Sequence, residues 1–201
     1  LPLQPSLIAV SAFSSAGMEE HGMLVEPGRY AVLHPGCSHP DRLLALDKWS
    51  TVARELLAAR AVERIVISAG PADEERLLAE ALCGLIGPAA MATGGRLSFA
   101  QSARLVKDAR LFLGVDSAIL QLAAAVGTPI VALFSSQNAT IWRPLGERHT
   151  VLQTSLPCAC FTAGQLPSPC TPGDSYKSYC VRQLTTEQVF AATRAALLRR
   201  P

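Results

Sequence analysis

Aromatic residues are scarce in this chain of 201 residues: Phe, Trp and Tyr make up 5% of it, against a hydrophobic fraction of 49%. A core with few rings draws on Ala, Leu and Val, a composition suited to helices packed on a sheet. Long hydrophobic runs are missing too. No apolar stretch reaches the roughly 18–20 residues that a bilayer span requires, and the amino-terminal end lacks the basic-then-apolar pattern of a signal peptide. Neither sign of charge is in large excess: the net charge is +2, and no basic stripe alternates with aromatics, which argues against nucleic acid as a partner. His34, His39 and His149 show no metal-ligand spacing and read as structural or exposed. These absences leave a soluble, cytosolic protein as the expectation, with length enough for one α/β domain and a full core. The chain begins at Leu1 rather than Met and runs at once into proline-containing sequence, the pattern of a cut fragment.

What is present points to one place. From Arg110 to Gly127 a buried strand stops at Asp116 and turns at once into an apolar helix; Thr128-Pro129 punctuates it, and a second apolar strand, Ile130 to Phe134, follows. This is the pattern of a parallel βαβ unit, with a carboxylate and a hydroxyl (Asp116, Ser117) where strand gives way to helix. Free backbone N–H groups and the positive end of the helix dipole converge there, so an anion, phosphate above all, is favoured.

The same alternation runs along the chain. Residues 1–29, with Pro2, Pro5 and Pro27, read as a linker or crossover segment, and residues 30–201 as the domain proper. Strands are predicted at Tyr30–His34, Arg64–Ala69, Ala89–Ala92, Leu111–Val115, Ile130–Phe134 and His149–Gln153. Leu46 to Arg60 repeats apolar residues at the helical period, with Trp49 and Leu56 in the core. A helix starts near Ala72 with Asp73, Glu74 and Glu75 in its first turn, where negative charge is stabilised. Ser98 and Thr185 are the expected N-caps of Phe99–Ala109 and of the closing helix, Thr186–Arg199. Ser135–Gly146 reads as a loop, and an irregular span, Thr154–Val181, holds four of the six cysteines. Strand–helix alternation predicts an α/β fold, a mainly parallel sheet with helices on both faces. Its ligand site should lie off the carboxyl ends of the strands: His34–Ser38, Ser68–Pro71, Ala92–Leu97, Gly114–Ser117 and Phe134–Gln137. A nucleotide is expected there.

The order of these features resembles the C-terminal domain of glycosyltransferase family 9, the heptosyltransferases of lipopolysaccharide core synthesis, over about residues 30 to 200. Val32-Leu33-His34-Pro35-Gly36-Cys37-Ser38 is similar to the family's "hPGas" strand and loop. Arg42 falls on the family's phosphate-binding lysine, with Lys48 as the competing candidate inside the helix. Gly70-Pro71-Ala72-Asp73-Glu74 resembles a "G-x-x-x-E" turn whose glutamate faces the donor, and Leu97-Ser98 sits where the family lays an apolar side chain against adenine. Asp116-Ser117-Ala118 corresponds to "D-T-G" or "D-S-G", followed by a helix ending at Gly127-Thr128-Pro129; Phe134 to Asn138, Trp142 and Pro144-Leu145-Gly146 resemble the segments after it.

The resemblance implies a Rossmann-like domain forming the C-terminal half of a GT-B fold. It implies an ADP-sugar donor, ADP-heptose-like, as substrate, bound by Gly36, Ser38, Arg42, Glu74, Leu97, Asp116, Ser117, Ala118 and Gln121. No cofactor and no metal are implied: basic side chains and a helix N-terminus stabilise the departing diphosphate of an inverting transferase. The general base belongs to an N-terminal domain that nothing here matches, so this chain alone is expected to bind a donor without transferring it, and to contain no catalytic residue. The lipid-linked sugar acceptor would be met through that other domain, and a cytoplasmic full-length protein could touch the inner face of the inner membrane.

Departures from the family pattern keep a second reading open, a degenerate nucleotide-binding or scaffolding domain of the same fold. Ala118 replaces Gly, Leu120 replaces Ser and Gln121 replaces His, which removes a titratable group beside the leaving diphosphate. Plainer roles also compete: Asp116 as a helix cap, Arg42 as a solvated loop cation, Glu74 as a helix-start charge, Gln121 as an ordinary helix residue. Cys158, Cys160, Cys170 and Cys180 could bind zinc or an iron–sulfur cluster, pair as disulfides or stay reduced; their spacing lacks the usual Cys-x-x-Cys knuckle.

Overall fold

The computed structural model describes residues 25–36, 43–134, 139–146, 149–153 and 184–199. Most of the 1–29 segment, Ser38, Arg42, His39, Ser135 to Asn138 and the cysteine-bearing 154–181 span lie outside these residues. Within them the chain alternates β1 (Tyr30–His34), α1 (Leu46–Ala58), β2 (Arg64–Ile67), α2 (Asp73–Ile86), β3 (Ala90–Ala92), α3 (Phe99–Asp108), β4 (Leu111–Val115), α4 (Ala118–Ala125), β5 (Ile130–Phe134), α5 (Ala139–Trp142), β6 (His149–Gln153) and α6 (Thr186–Leu198). The six strands form one sheet in the order β3-β2-β1-β4-β5-β6, and each neighbouring pair is parallel. This is the α/β, Rossmann-like, mainly parallel sheet expected from the alternation of strands and helices.

The three central strands are buried along their whole length, as parallel strands covered on both faces must be. The period-2 direction of side chains then divides the core in two. Ala31, Leu33, Ile65, Ile67, Leu111, Leu113, Val131 and Leu133 pack beneath α1, α2 and α6, around Trp49, Leu56, Leu82 and Val189. Tyr30, Val32, Val66, Phe112, Ile130, Ala132 and Phe134 face the other way, toward Leu105 and Val106 of α3 and Leu120 and Ala123 of α4. Polar ties lock the second layer: the Tyr30 hydroxyl donates to the Leu105 carbonyl at 2.5 Å, and the Thr128 hydroxyl to the Val106 carbonyl at 2.7 Å.

Local chemistry sets the helix starts. Ser98 and Thr185 both cap their helices through complete capping boxes with Gln101 and Gln188, which satisfies two otherwise orphan N–H groups at each end. α2 has Ala72 at its cap and no side-chain bond there, but carries Asp73, Glu74 and Glu75 in its first turn. One element departs from expectation. The predicted loop Ser135–Gly146 contains the single-turn helix α5, too short to show a periodic pattern.

His34 and Gly114 are register partners across β1 and β4. A Cβ at Gly114 would lie 2.5 Å from Phe112 Cε1 and 3.4 Å from His34 Cβ, so the bare backbone there makes room for the Phe112 ring. Gly114→Ala is expected to cost about 1–3 kcal/mol of stability by overpacking, seen as a lower urea midpoint at unchanged slope. Gly84, inside α2, is the control, because nothing stands within 4 Å of the position its Cβ would take. Gly84→Ala should instead stabilise by roughly 0.5–1 kcal/mol. Equal behaviour of the two variants would refute the packing argument.

Candidate functional site

The sheet order places β1 beside β4, so successive crossovers leave in opposite directions from the middle of the sheet. At such a switch point a crevice opens off the carboxyl ends of the strands. Here it is a cavity of about 360 Å³ between α3 and α4, with His34 from β1, Ser68 to Pro71 after β2, Thr93, Gly95 and Leu97 after β3, and Ala118 opening α4 among its lining. Phe99, Ser102, Leu105 and Val106 supply one wall and Ile119 and Leu122 the other. The walls are largely apolar, and the polar side chains are few: His34, Ser68, Thr93 and Ser102. Apolar walls with a few placed polar groups are the usual make-up of a small-molecule site.

Backbone contact shapes the mouth. Gly95 has φ +66°, and a Cβ on it would stand 2.3 Å from the Gly70 carbonyl oxygen; the loops after β2 and β3 therefore touch main chain to main chain. Thr93 Oγ1 accepts the Ala69 N–H at 3.0 Å and fixes the same pair of loops from below. Glu75 reaches back from the first turn of α2, and its Oε2 accepts the Gly70 N–H at 2.6 Å. A Cβ on Gly36 would lie 2.9 Å from Glu75 Cγ, so this half-buried carboxylate sits between the ends of β1 and β2.

The sequence-derived residues divide accordingly. Leu97 and Ala118 line the cavity. Gly36 is buried beside it, against Glu75. Asp116 and Ser117 stand half-buried at the turn from β4 into α4. The capping role falls to Ser117, whose Oγ accepts the Leu120 N–H at 3.4 Å, rather than to Asp116. Glu74 is exposed; its neighbour Glu75 is half-buried and bonded to the Gly70 N–H, a contact that sequence reasoning did not foresee. Gln121 is exposed on α4 and its Nε2 donates to the Trp142 carbonyl at 2.9 Å, tying α4 to α5. Lys48 Nζ donates to the Leu184 carbonyl at 2.9 Å and faces the start of α6. Ser38, Arg42 and the four clustered cysteines fall outside the described residues; among those described, no group of three or more His, Cys, Asp or Glu could hold a metal ion. No described helix is long and apolar enough to cross a membrane.

His34 closes β1 at one of the strand ends where the ligand site was expected. Read as structural or exposed, it is buried, hydrogen-bonded to Ser68 and part of the cavity lining. Burial lowers its pKa to about 4, against a weaker opposing effect of the Ser68 backbone. Its position at the end of an apolar strand, next to Pro35-Gly36, was the available signal.

Comparison with known proteins adds the following. The family model described as glycosyltransferase family 9 (heptosyltransferase) matches residues 6–167. Lipopolysaccharide heptosyltransferase 3 of Escherichia coli is 33% identical over 115 residues, which are 57% of this chain and 34% of that protein. The enzyme of the same name from strain K12 is 33% identical over 119 residues, again 34% of its length. Among solved structures, E. coli ADP-heptose lps heptosyltransferase II superposes with TM-score 0.72 at 16% identity, over 92% of this chain and 50% of that one. E. coli heptosyltransferase WaaC with ADP gives 0.67 at 19%, over 86% and 46%. The structural likenesses establish the fold, and this chain spans about half the length of either solved protein.

Two measurements test the site's construction. Gly95→Ala should lose about 1–3 kcal/mol, because the new methyl meets main chain that cannot rotate away; a melting temperature equal to the parent's would contradict the close approach of the loops. The His34 effect has a defined sign. With the folded pKa at about 4 and the unfolded value at 6.5, the unfolded chain binds the extra proton first. Stability is therefore full above pH 6.5 and falls as pH drops toward 4, by on the order of 3 kcal/mol. In His34→Gln that part of the acid slope should vanish, and superimposable pH–stability curves for the two proteins would show the histidine is not sequestered.

Proposed function

This chain belongs to glycosyltransferase family 9, and from that premise we propose that it is the donor-binding domain of an inverting, metal-independent glycosyltransferase of lipopolysaccharide core synthesis, with an ADP-sugar of the ADP-heptose kind as its donor. The observation that carries the reading is the crevice itself, an apolar slot at the switch point with a helix N-terminus at one end. A base fits between the walls formed by Leu97, Phe99 and Ile119, and the diphosphate lies toward Asp116, Ser117 and Ala118, where the first amides of α4 are unsatisfied within the helix. The matched protein crystallised with ADP supports the same ligand class.

Roles follow from position. The amides that open α4 bind phosphate oxygens and carry charge on the departing diphosphate. Arg42 supplies the positive side chain in this proposal. Glu75, held by the Gly70 N–H, offers its other oxygen to a ribose or sugar hydroxyl, the role the family pattern suggested for Glu74. Deprotonating the acceptor hydroxyl needs a base; we assign that step, and contact with a lipid-linked acceptor at the cytoplasmic face of the inner membrane, to the rest of a full-length enzyme.

One observation favours a second reading, a domain that keeps the nucleotide but not the transfer. Gln121 stands where the family pattern has histidine, and its amide is engaged by the Trp142 carbonyl. A neutral group turned to α5 gives little help to a leaving diphosphate.

Binding separates fold from function. ADP or an ADP-sugar at about 100 times its Kd should stabilise the chain by roughly 2.7 kcal/mol, a rise of roughly 5–10 °C in melting temperature. The double variant Asp116→Ala with Arg42→Ala should abolish the rise. Absence of any shift with nucleotides at millimolar concentration would defeat the donor-site reading, and glycosyl transfer measured on the full-length parent would eliminate the non-catalytic alternative.

A further inference from the structure

One lining residue of the crevice has a fixed protonation pattern that the proposed donor chemistry does not use. His34 closes β1, and its side chain follows Tyr30 and Val32 onto the α3/α4 face of the sheet. Its ring lies near that of Phe112, centroids 6.4 Å apart and planes at 27°. Nδ1 is 3.2 Å from the Ser68 carbonyl oxygen and 2.8 Å from Ser68 Oγ. A carbonyl oxygen only accepts, so a proton on Nδ1 is the arrangement that makes both contacts hydrogen bonds. Ser68 Oγ is in reach of the Leu33 carbonyl, at 3.5 Å, for its own proton, which frees its lone pair for Nδ1–H.

A neutral imidazole has one N–H. With that proton on Nδ1, Nε2 is a bare acceptor, and no described residue donates to it. The remaining lining is mostly apolar, so this acceptor faces the open cavity, where a donating group of a ligand can replace water.

We infer that His34 is a specificity-determining residue for the nucleotide: its Nε2 accepts a hydrogen bond from an N–H or O–H group of the nucleoside. This deepens the donor-site reading and rests on it. The donating group is either an exocyclic amine on the base or a ribose hydroxyl, and Ser68 is the positioning residue that holds the tautomer.

The experiment compares ADP with purine riboside diphosphate, which lacks the 6-amino group, and with 2′-deoxy-ADP and 3′-deoxy-ADP, on the parent protein, His34→Phe and Ser68→Ala. The parent should bind one analogue about 3–10 times more weakly than ADP, the scale of one neutral hydrogen bond. His34→Phe should lose that discrimination by weakening every nucleotide that carries the donating group while leaving the analogue without it unchanged, and Ser68→Ala should reduce it. Weaker binding of purine riboside diphosphate than of ADP identifies the amine; weaker binding of a deoxy analogue identifies the hydroxyl. Ring ¹⁵N shifts of His34 in the parent give a readout that needs no variant: Nδ1 protonated, Nε2 bare, and Nε2 moving when ADP saturates. Nε2 found protonated, ring nitrogens unmoved at saturation, or all four nucleotides weakened equally in His34→Phe would each overturn the inference while leaving the donor site standing. Failure of the parent to bind ADP at all would end both.

Discussion

Parallel pairing of β1 with β4 is the constraint on which the rest of the molecule depends. It joins two runs of crossovers that wind away from each other, so α1, α2 and α6 cover one face and α3 and α4 the other. The crevice is what this geometry leaves uncovered at the carboxyl ends of the strands. The register fixes its floor in detail. His34 is opposite Gly114, and a side chain at that glycine would collide with Phe112. The ring that lines the pocket and the absence of a side chain beside it are two consequences of one pairing.

Above that floor, the mouth is built from close backbone approach more than from side chains. Gly95 stands against the Gly70 carbonyl, and Glu75 fills the gap between Gly36 and Gly70. Glycines at such points permit φ > 0 and leave room that a methyl group would take. Glu75 then has two roles that pull in one direction. Its bond to the Gly70 N–H fixes the loop, and its side chain occupies the space beside Gly36 that any larger residue there would take. The two loops and the helix start reinforce one another, which is how a site on short loops reaches the stiffness of the sheet below it.

Much of this was legible in the residues. The strands β1, β4, β5 and β6 have the predicted bounds because each apolar run ends at a glycine, proline or polar pair, and the caps at Ser98 and Thr185 have their capping-box partners three residues on. The helix α5 was not legible, since four residues cannot display a 3.6-residue period. The site followed the same division. Strand ends are fixed by pattern, so the crevice could be placed; helix rotation is not, and adjacent residues differ by about 100° around a helix axis. That is why Glu75, and not Glu74, is the glutamate bound to the Gly70 N–H. His34 was legible as the residue closing a strand at the expected site, but not as part of the lining, because a strand end alone does not show which face of the sheet carries the cavity.

The three replacements after Asp116 act at separable points once the helix is in place. Leu120 is fully buried in the α3/α4 layer, where a serine would bring a hydroxyl needing a partner, so this change favours packing and is remote from any ligand. Ala118 lines the cavity, where its methyl thickens the wall that glycine would leave as bare backbone. Gln121 is bound to the Trp142 carbonyl and can join α4 to α5 without charge. On the proposed donor reading, recognition of a nucleotide draws on the slot, the amides and the hydrogen-bonding residues beneath them, none of which these changes remove. Acceleration of transfer depends on stabilising charge that develops only as the diphosphate leaves. On that reading the replacements bear on the leaving-group step far more than on the ground-state complex, so affinity for a donor and competence to use it rest on different groups.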